Sequence, residues 1–448
     1  MKILFVMPLS YPVYPFQVAS LSSFLKANGH ETAYLELILK ENLDRKNKQK
    51  ITQKINNFKP DLTGISSYQL TFDWVKQICR FIKSKYNLPI IVGGYHTTLA
   101  PEEVIHHPAV DIICRGEGEY PLLELMNSLK KKKPKYDIKN LWFKKGKKII
   151  RNEIRPLIEN LDSLPFMDRE MFDYQKHLDE SGEKRYLAVM GSRGCPFNCS
   201  NCSNHALRLI YPNKSKYVRL RSVDNIIKEI KKALKKYSFE GVSFEDDTFT
   251  LYENWVGEFC QKYKKEIGLD FYCNARPENA NLKMMRQLKK AGCEYISIGI
   301  ESGDENIRKK ILRRQITNYQ IKQAFKNAKK VGLKVRSFNM VGLPYETRFS
   351  LLKTIYLNFL VAPYQVQTTI YYPFKGTDLG DLCYQKKWVN KAREKKTKVL
   401  SNDSILDHPN LTRLEIKAAK WINSGMGLRS GNLSLIKMGF KTLFKKQG

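Results

Sequence analysis

Three cysteines crowd into one short loop of this 448-residue chain. The stretch GSRGCPFNCSNCSN, residues 191 to 204, spaces Cys195, Cys199 and Cys202 as C-x3-C-x2-C. A structural zinc site takes four ligands, often as two close pairs, and no second pair follows in the sequence. A disulfide would leave one thiol over. The spacing instead fits a cubane iron–sulfur cluster that is held by three thiolates and keeps its fourth iron open, with an atypical zinc site as the alternative.

The residues around the loop indicate how it is built. YLAVMGSRGCPFNC reads as a strand that runs directly into the loop, where Gly194 and Pro196 predict a tight turn. In these features the chain resembles the radical S-adenosylmethionine (SAM) superfamily. The resemblance implies a 4Fe-4S cluster whose open iron chelates the amino and carboxylate groups of SAM. One position departs from the family pattern, because the residue before the last cysteine is usually aromatic and here is Asn201.

Helices and strands alternate downstream of the loop. A helical stripe in SVDNIIKEIKKALKKY begins at the N-cap candidate Ser222. Strands are predicted at GVSFEDDTF, LDFYCNARP, CEYISIGIESG, KVRSFNMVGLPYET and QVQTTIYYPF. With the strand before the cysteines they make six, which is similar to the partial (β/α)6 barrel of radical SAM enzymes.

Polar residues at the carboxyl ends of these strands are the candidates for the SAM site. The resemblance implies that Glu245 and Asp246 meet the amino group of SAM and that Arg276 pairs with its carboxylate. It also implies that Glu301 lies near the ribose and that Gly342 offers backbone to the adenine. For each of these residues a helix cap or a salt bridge is the structural alternative.

The first 135 residues also alternate strands with helices, which predicts an α/β fold with a doubly wound, Rossmann-like parallel sheet. Such sheets bind ligands beyond the carboxyl ends of their strands. The first strand is not followed by G-x-G-x-x-G, which disfavours a nicotinamide cofactor. The pattern, with GGYHTT and VDIICRGEGEYPLLEL, resembles the cobalamin-binding domain found ahead of radical SAM domains. The candidate cobalamin contacts are Ser66, Ser67, Gly93, Gly94, His96, Gly116 and Glu117.

The cobalt has no histidine ligand in the expected place. Cobalamin mutases carry D-x-H-x-x-G after the first strand, whereas residues 8 to 29 contain no histidine. The resemblance therefore implies that water, another side chain or nothing occupies the lower face of the cobalt. We place His96 at the rim of the cobalamin site, with a loop histidine bonded to nearby backbone as the alternative.

Four segments follow from these patterns. Residues 1–135 form the cobalamin-binding domain, and 136–185 form a connector with a hairpin that turns at Lys144 to Gly146. Residues 186–385 form the radical SAM core, and 386–448 form a basic, helical C-terminal region. Its stretch LIKMGFKTLFKK is basic and amphipathic, which suits either an anionic membrane surface or docking on the barrel.

Composition limits the compartment and the partners. No apolar run is long enough to span a bilayer, and nine cysteines without a paired framework favour the reducing cytoplasm. Peripheral membrane contact is compatible with that location. The net charge of +34 is spread along the chain, which indicates a lysine-rich background more than a nucleic-acid site. We expect no DNA partner and no RNA-binding module.

Together the two resemblances imply a cobalamin-dependent radical SAM enzyme. It would cleave SAM to a 5′-deoxyadenosyl radical and act as a methyltransferase on an unactivated carbon of a small-molecule or lipid substrate. A flavodoxin or ferredoxin would supply the electron. The alternatives are a radical cyclisation, rearrangement or oxidation without methyl transfer, an RNA-modifying enzyme, and a non-catalytic cobalamin sensor. No side chain is assigned as a catalytic residue.

Overall fold

The computed structural model describes residues 1–182, 184–399 and 403–425. The chain divides into two compact units. Unit 1 comprises Met1–Tyr174 with Ala206–Tyr217, and unit 2 comprises the described residues of Gln175–His205 and those from Val218 onward. Most of the segment that we expected to be a connector thus belongs to unit 1. So does a short segment that follows the cysteine loop in sequence.

Unit 1 is built on a seven-stranded sheet in the order β2-β1-β3-β4-β5-β6-β7. The first five strands pair in parallel, and β6 and β7 add an antiparallel hairpin to the edge next to β5. The helices and strands are β1 (Lys2–Leu9), α1 (Phe16–Ala27), β2 (Glu31–Ile38), α2 (Arg45–Phe58), β3 (Leu62–Ser66), α3 (Phe72–Lys85), β4 (Ile90–Gly93), α4 (Tyr95–Leu99), α5 (Pro101–Ile105), β5 (Ile112–Cys114), α6 (Glu119–Lys130), β6 (Leu141–Lys145) and β7 (Lys148–Arg151).

The sheet of unit 1 is covered on both faces, which is why its strands are almost continuously apolar. One face packs against α3, whose Trp74, Ile78 and Ile82 are fully buried, as the helical spacing predicts. The other face packs against residues of α1 and α6, including Leu25 and Leu125. The predicted doubly wound α/β fold is confirmed.

The hairpin belongs to this sheet rather than to a separate linker. Its turn lies at Gly146, which has a φ of 61°, a conformation that favours glycine. Phe143 of β6 pairs with Ile112 of β5, so the hairpin continues the hydrogen-bonded ladder. A sequence reading that treats the hairpin alone cannot see this, because the pairing partner lies about 30 residues away in the chain.

Unit 2 is built on a six-stranded parallel sheet in the order β15-β14-β13-β12-β11-β8, as predicted for the partial barrel. The short strands β9 and β10 form a separate two-stranded antiparallel sheet. The elements are α7 (Tyr174–Glu180), β8 (Tyr186–Val189), β9 (Ser192–Arg193), β10 (Arg219–Leu220), α9 (Val223–Leu234), β11 (Gly241–Phe244), α10 (Glu253–Glu266), β12 (Asp270–Ala275), α11 (Leu282–Ala291), β13 (Cys293–Glu301), a π-helix (Ile307–Ile311), α12 (Asn318–Lys330), β14 (Lys334–Val341), α13 (Arg348–Val361), β15 (Gln365–Ile370), α14 (Asp378–Gln385), α15 (Lys391–Lys396) and α16 (Arg413–Gly425). Helix α8 (Ser203–Ile210) begins in unit 2 and ends in the segment Ala206–Tyr217 of unit 1.

Helix starts in unit 2 follow local sequence signals. The side chain of Ser222 accepts a hydrogen bond from the Asn225 N–H and caps α9, as predicted. In the basic C-terminal region, α16 packs Ile416 and Ile422 against β14, β15 and α13. The described part of that region therefore completes the barrel wall, whereas LIKMGFKTLFKK lies outside the described residues.

Within the described residues, no helix combines the length and the apolar character that crossing a bilayer would require.

Candidate functional site

The three cysteines lie on the loop that follows β8, at the carboxyl end of the sheet of unit 2. Cys199 is buried, Cys195 and Cys202 are half-buried, and all three are free thiols. The Cys202 N–H donates to the Cys199 carbonyl at 3.1 Å, which closes a tight turn. Ser200, between them, donates its N–H to the Leu312 carbonyl at 3.2 Å. One backbone hydrogen bond within the loop and one to a residue outside it thus fix the conformation of the loop.

The donor set fits an iron–sulfur cluster. Burial raises the pKa of Cys195, and it raises that of Cys202 to about 12. Both thiols are therefore neutral at pH 7 and become thiolates only when a metal compensates their buried charge. Three sulfur donors on one loop suit iron–sulfur chemistry. In the described ranges, no three His, Cys, Asp or Glu side chains stand close enough to hold a single ion.

Asp247 faces this loop, although the sequence analysis did not select it for the SAM site. Burial is the main reason why the pKa values of Cys195 and Cys202 are raised, and the negative charge of Asp247 raises both of them further. Burial raises the pKa of Asp247 itself, and a hydrogen bond from Asn204 opposes that shift. The residue is nevertheless exposed to solvent, so its carboxylate is accessible beside the cysteine loop. Asp246 and Asp247 both follow the end of β11, so no local signal in the sequence separates the directions of their side chains.

Asp246 and Glu245 take different places. The Asp246 carboxylate is buried, accepts the Gly191 N–H at 3.0 Å and is also bonded to the Ser192 hydroxyl. Burial raises its pKa to about 6. The structure thus turns Asp246 towards the start of the cysteine loop. Glu245 is exposed and accepts hydrogen bonds from Ser243 and, at 3.4 Å, from Tyr272.

Glu301 lies at the carboxyl end of β13, where the sequence analysis placed it. It sits at an irregularity in the pairing of β13 with β14 and has a φ of 65°, which is strained for a non-glycine residue. The Arg314 Nη1 donates to its Oε1 at 3.2 Å. A Cβ at Gly299 would contact this carboxylate, so a side chain there would displace it. An ion pair therefore holds Glu301 in a set direction.

Gly342 begins the loop after β14 and has a φ of 75°. Glu346 accepts its N–H at 2.7 Å and that of Leu343 at 3.1 Å. Ahead of this loop, the Asn201 amide donates to the Met340 sulfur at 3.6 Å. The cysteine loop and the end of β14 are thus in contact. The residue that departs from the family pattern lies at this contact.

Glu346 should make the stability of the protein pH-dependent. It is fully buried, and burial raises its pKa to about 8. The folded state then holds a proton that the unfolded state releases near pH 4.5, so stability falls as pH rises between about 5 and 8, by up to about 1.4 kcal/mol per pH unit. Glu346→Gln should remove this slope. Urea unfolding of both proteins at pH 5.5 and 7.5 checks it, and equal pH dependence would contradict the assignment.

In unit 1 the candidate cobalamin residues of β3 and β4 come together at the carboxyl ends of these strands. Ser66 pairs with Gly93 in register, and the Ser67 N–H donates to the Gly93 carbonyl at 2.8 Å. Gly94 has a φ of 104°, and a Cβ there would lie 2.7 Å from the Ser67 carbonyl. The close approach that requires glycine at position 94 is therefore to Ser67.

His96 does not reach a rim in this structure. Its imidazole is buried, packs against the Phe72 ring at 4.7 Å between centroids and lies 3.7 Å from the Glu103 carboxylate. The rim placement from sequence is thus not supported by the geometry. His96 is buried because α4 begins at Tyr95 and directs the His96 side chain towards α3.

Gly116 and Glu117 meet a tyrosine that the sequence analysis missed. Gly116 has a φ of 71°, and a Cβ there would lie 2.5 Å from the Tyr211 hydroxyl. The same hydroxyl accepts the Glu117 N–H at 3.2 Å, and the Glu117 carboxylate accepts the Ile158 N–H at 2.9 Å. Tyr211 belongs to the segment 206–217, which lies far along the chain, so no local signal pointed to it.

Comparison with known proteins resolves the family. The sequence model of the B12 binding domain matches residues 4–126, and that of the Radical SAM superfamily matches residues 189–356. An uncharacterized methyltransferase of Pyrococcus horikoshii, PH0819, is 31% identical over 334 residues, which are 74% of this chain and 71% of that protein. The chain belongs to the cobalamin-dependent radical SAM family. This confirms the predicted cofactors: a 4Fe-4S cluster, SAM and cobalamin.

Two further family members are similar over most of the chain. The anaerobic magnesium-protoporphyrin IX monomethyl ester cyclase of Rubrivivax gelatinosus is 24% identical over 82% of this chain, but the match spans 65% of the cyclase. The methyltransferase TsrM of Kitasatospora setae, solved with cobalamin and a 4Fe-4S cluster, superposes with a TM-score of 0.70 at 15% identity. That match covers 86% of this chain and 75% of TsrM, and it shows a shared fold.

Proposed function

We propose that this enzyme methylates an unactivated carbon of a small-molecule or lipid substrate. The observation that carries the proposal is the cysteine triplet at the carboxyl end of a six-stranded parallel sheet, in a chain that also has a B12-binding sheet. When bound, the cluster, SAM and cobalamin supply an electron, a carbon radical and a methyl carrier. The similarity to a protein named as a methyltransferase favours methyl transfer.

The residues of the chain would then hold and orient these groups. Cys195, Cys199 and Cys202 are the proposed cluster ligands. Asp247, which is acidic and faces the cysteine loop, suits the positively charged amino group of SAM. Glu301, fixed by Arg314, would meet the ribose, and the loop at Gly342 would offer its backbone to the adenine. The sheet and the covering helices would exclude water from the bound groups.

The cobalamin site is proposed at the carboxyl ends of β3, β4 and β5. Ser66, Ser67, Gly93 and Gly94 form its backbone there, because they lie together in unit 1. Gly116 and Glu117 would contribute through the turn that Tyr211 supports. Among the described residues 8–29 there is no histidine, so the lower cobalt ligand is proposed to be something other than a histidine of that segment.

Coproduct analysis tests methyl transfer. The anaerobically reconstituted protein, with hydroxocobalamin, a strong reductant and methyl-labelled SAM, is incubated with extract of the source cells. Methyl transfer predicts both S-adenosylhomocysteine and 5′-deoxyadenosine, with label in an extract compound. A second portion of the extract is digested with protease and then heated before the assay. Methyl transfer that persists in this portion goes to small molecules or lipids rather than to proteins. Deoxyadenosine without label transfer would contradict the proposal.

The second candidate is a radical cyclisation, rearrangement or oxidation. The similarity to the magnesium-protoporphyrin cyclase favours it. In that case the same assay would give deoxyadenosine alone, and no S-adenosylhomocysteine would accumulate. For either reaction we propose an acidic electron donor, flavodoxin or ferredoxin, because the chain carries a net charge of +34.

We place the enzyme in the cytoplasm, and we propose peripheral contact with an anionic membrane. All nine cysteines are free thiols, as a reducing compartment requires. The outer side of α13 exposes three aromatic rings, Phe349, Tyr356 and Phe359, each more than 60% accessible. We call these rings the aromatic face. The neighbouring α12 exposes Lys322, Lys326 and Lys330, and aromatic and basic groups together suit a lipid surface.

Vesicle flotation tests the membrane contact. The full chain should float with vesicles rich in anionic phosphatidylserine and stay behind with neutral phosphatidylcholine vesicles. Phe349→Ser with Phe359→Ser should weaken binding by more than about tenfold, since each ring loses roughly 1.5–3 kcal/mol of apolar burial. Leu234→Ser, which changes an exposed apolar residue of α9, serves as the control. Equal binding by the double variant would contradict a role for the aromatic face.

A further inference from the structure

Arg276 lies where β12 ends, and its guanidinium is held from three sides. The residue is 6% exposed. Its Nε and Nη2 donate to the Glu278 Oε1 at 3.2 and 2.8 Å. Its Cζ lies 3.6 Å from the centroid of the Phe197 ring. On the remaining side, its Nη1 donates to the Sγ of Cys199 at 3.4 Å.

These contacts fix both the charge and the direction of the guanidinium. A buried guanidinium without a partner would be costly, and Glu278 offsets that cost. Burial acts to lower the pKa of Arg276, but the hydrogen bond with Glu278 and its charge outweigh it and raise the pKa. Stacking on Phe197 ties Arg276 to the same loop that carries the cysteines. The guanidinium is therefore a permanent positive charge that points at one sulfur.

The sulfur that it contacts is the buried one of the three. Cys199 is 8% exposed, so water screens the charge of Arg276 only weakly at this site. A cationic N–H donor to a cluster thiolate stabilises the reduced, more negative cluster and so raises its reduction potential. Pairing with the carboxylate of SAM, which the sequence suggested, would compete for the same guanidinium.

We propose that Arg276 is a positioning residue for the cluster, which donates to the Cys199 thiolate and raises the reduction potential of the cluster, rather than the partner of the SAM carboxylate. This inference rests on the proposed role of the three cysteines as cluster ligands. It assigns Glu278 and Phe197 as the groups that aim the guanidinium. The readout that separates this role from SAM binding is the reduction potential measured without SAM.

The test compares three variants of the anaerobically reconstituted full chain. Arg276→Met removes the charge and keeps much of the volume, and Arg276→Lys keeps the charge without the planar fork. Arg336→Met is the matched control, since Arg336 lies on β14 over the Tyr295 ring. The reduced fraction of the cluster is followed by electron paramagnetic resonance at a series of fixed potentials. Iron content and the dissociation constant of SAM are measured on the same samples.

Arg276→Met should lower the ratio of reduced to oxidised cluster about tenfold at a given potential, which corresponds to about 59 mV for one electron. Arg276→Lys should fall between this variant and wild type, and Arg336→Met should match wild type. The affinity for SAM should stay within about threefold. If Arg276→Met does not retain its iron, the reduced fraction of the cluster in Arg276→Lys is compared with that in wild type instead.

An unchanged potential together with a large loss of SAM affinity would overturn the inference and return Arg276 to the SAM carboxylate. An unchanged potential with unchanged SAM affinity would overturn it as well. A wild-type protein that binds no cluster at all would overturn the proposed function itself, and that outcome is distinct from the other two.

Discussion

Cys195→Ser protein, reconstituted anaerobically with iron and sulfide, should hold less than one iron per chain, where wild type holds about four. Cys195 is half-buried, so serine fits the site without disturbing a core. Serine cannot replace a thiolate in this sulfur set, and two ligands do not hold a cubane. SAM cleavage should therefore fall by more than the roughly 10- to 100-fold that loss of an outer-shell partner costs.

Cys260→Ser is the matched control for this result. Cys260 is a buried thiol on α10 and is not part of the loop. This variant should keep wild-type iron and wild-type cleavage. Iron loading of Cys195→Ser equal to that of Cys260→Ser would remove Cys195 from the ligand set. Full loading with zinc by wild type, and none with iron, would favour the zinc alternative.

Gly303→Ala should destabilise the protein by about 3 kcal/mol, because a methyl group there would overlap with backbone atoms. A Cβ on Gly303 would overlap with the Lys353 carbonyl and lie 2.5 Å from the Cα of Thr354. Both are backbone atoms of α13, which cannot move away without leaving the sheet. The Gly303 N–H also donates to the Thr354 hydroxyl at 2.8 Å, so any shift breaks that bond.

Urea unfolding followed by circular dichroism measures this loss. Gly257→Ala is the control, because Gly257 lies within α10 and the one atom near its Cβ position is the tip of the Gln287 side chain, at 3.3 Å. Alanine should there stabilise the helix by about 0.5–1 kcal/mol. A Gly303→Ala protein as stable as wild type would show that α13 packs less closely on the Ser302–Gly303 turn than the structure has it.

The sequence was sufficient for the fold and for the cysteine loop because both depend on local signals. Short apolar strands that alternate with helices of period 3.6 specify the two sheets. Three cysteines on eight residues specify the loop without any knowledge of its surroundings. The strand ends also followed, so Glu301 and Gly342 lie where parallel strands end. These features depend on spacing within one element or between neighbours in the chain.

The sequence did not predict the direction of single side chains beyond the strand ends. Asp246 and Asp247 are adjacent and acidic, yet the first is buried and accepts the Gly191 N–H, whereas the second is exposed beside the cysteine loop. The choice depends on where the chain bends after β11, which composition does not encode. Arg276 was assigned to SAM by resemblance, whereas its contacts with Phe197 and Cys199 come from a loop about 80 residues earlier in sequence.

Non-local packing accounts for the other differences. His96 is buried because α4 begins directly after Gly94, and the approach of Tyr211 to Gly116 brings together residues nearly 100 positions apart. A glycine next to a candidate ligand site is ambiguous in a sequence, because the space left by its missing side chain can hold either a ligand or another group of the protein. At Gly94 and Gly116 the structure fills the space with Ser67 and Tyr211.

Electron paramagnetic resonance of the reduced, reconstituted full chain, recorded with and without SAM, tests the central claim most directly. The account predicts the signal of a 4Fe-4S cluster in wild type, a change of that signal when SAM is added, and no such signal in Cys195→Ser. A cluster signal that SAM leaves unchanged would mean that no open iron binds SAM and would contradict the account.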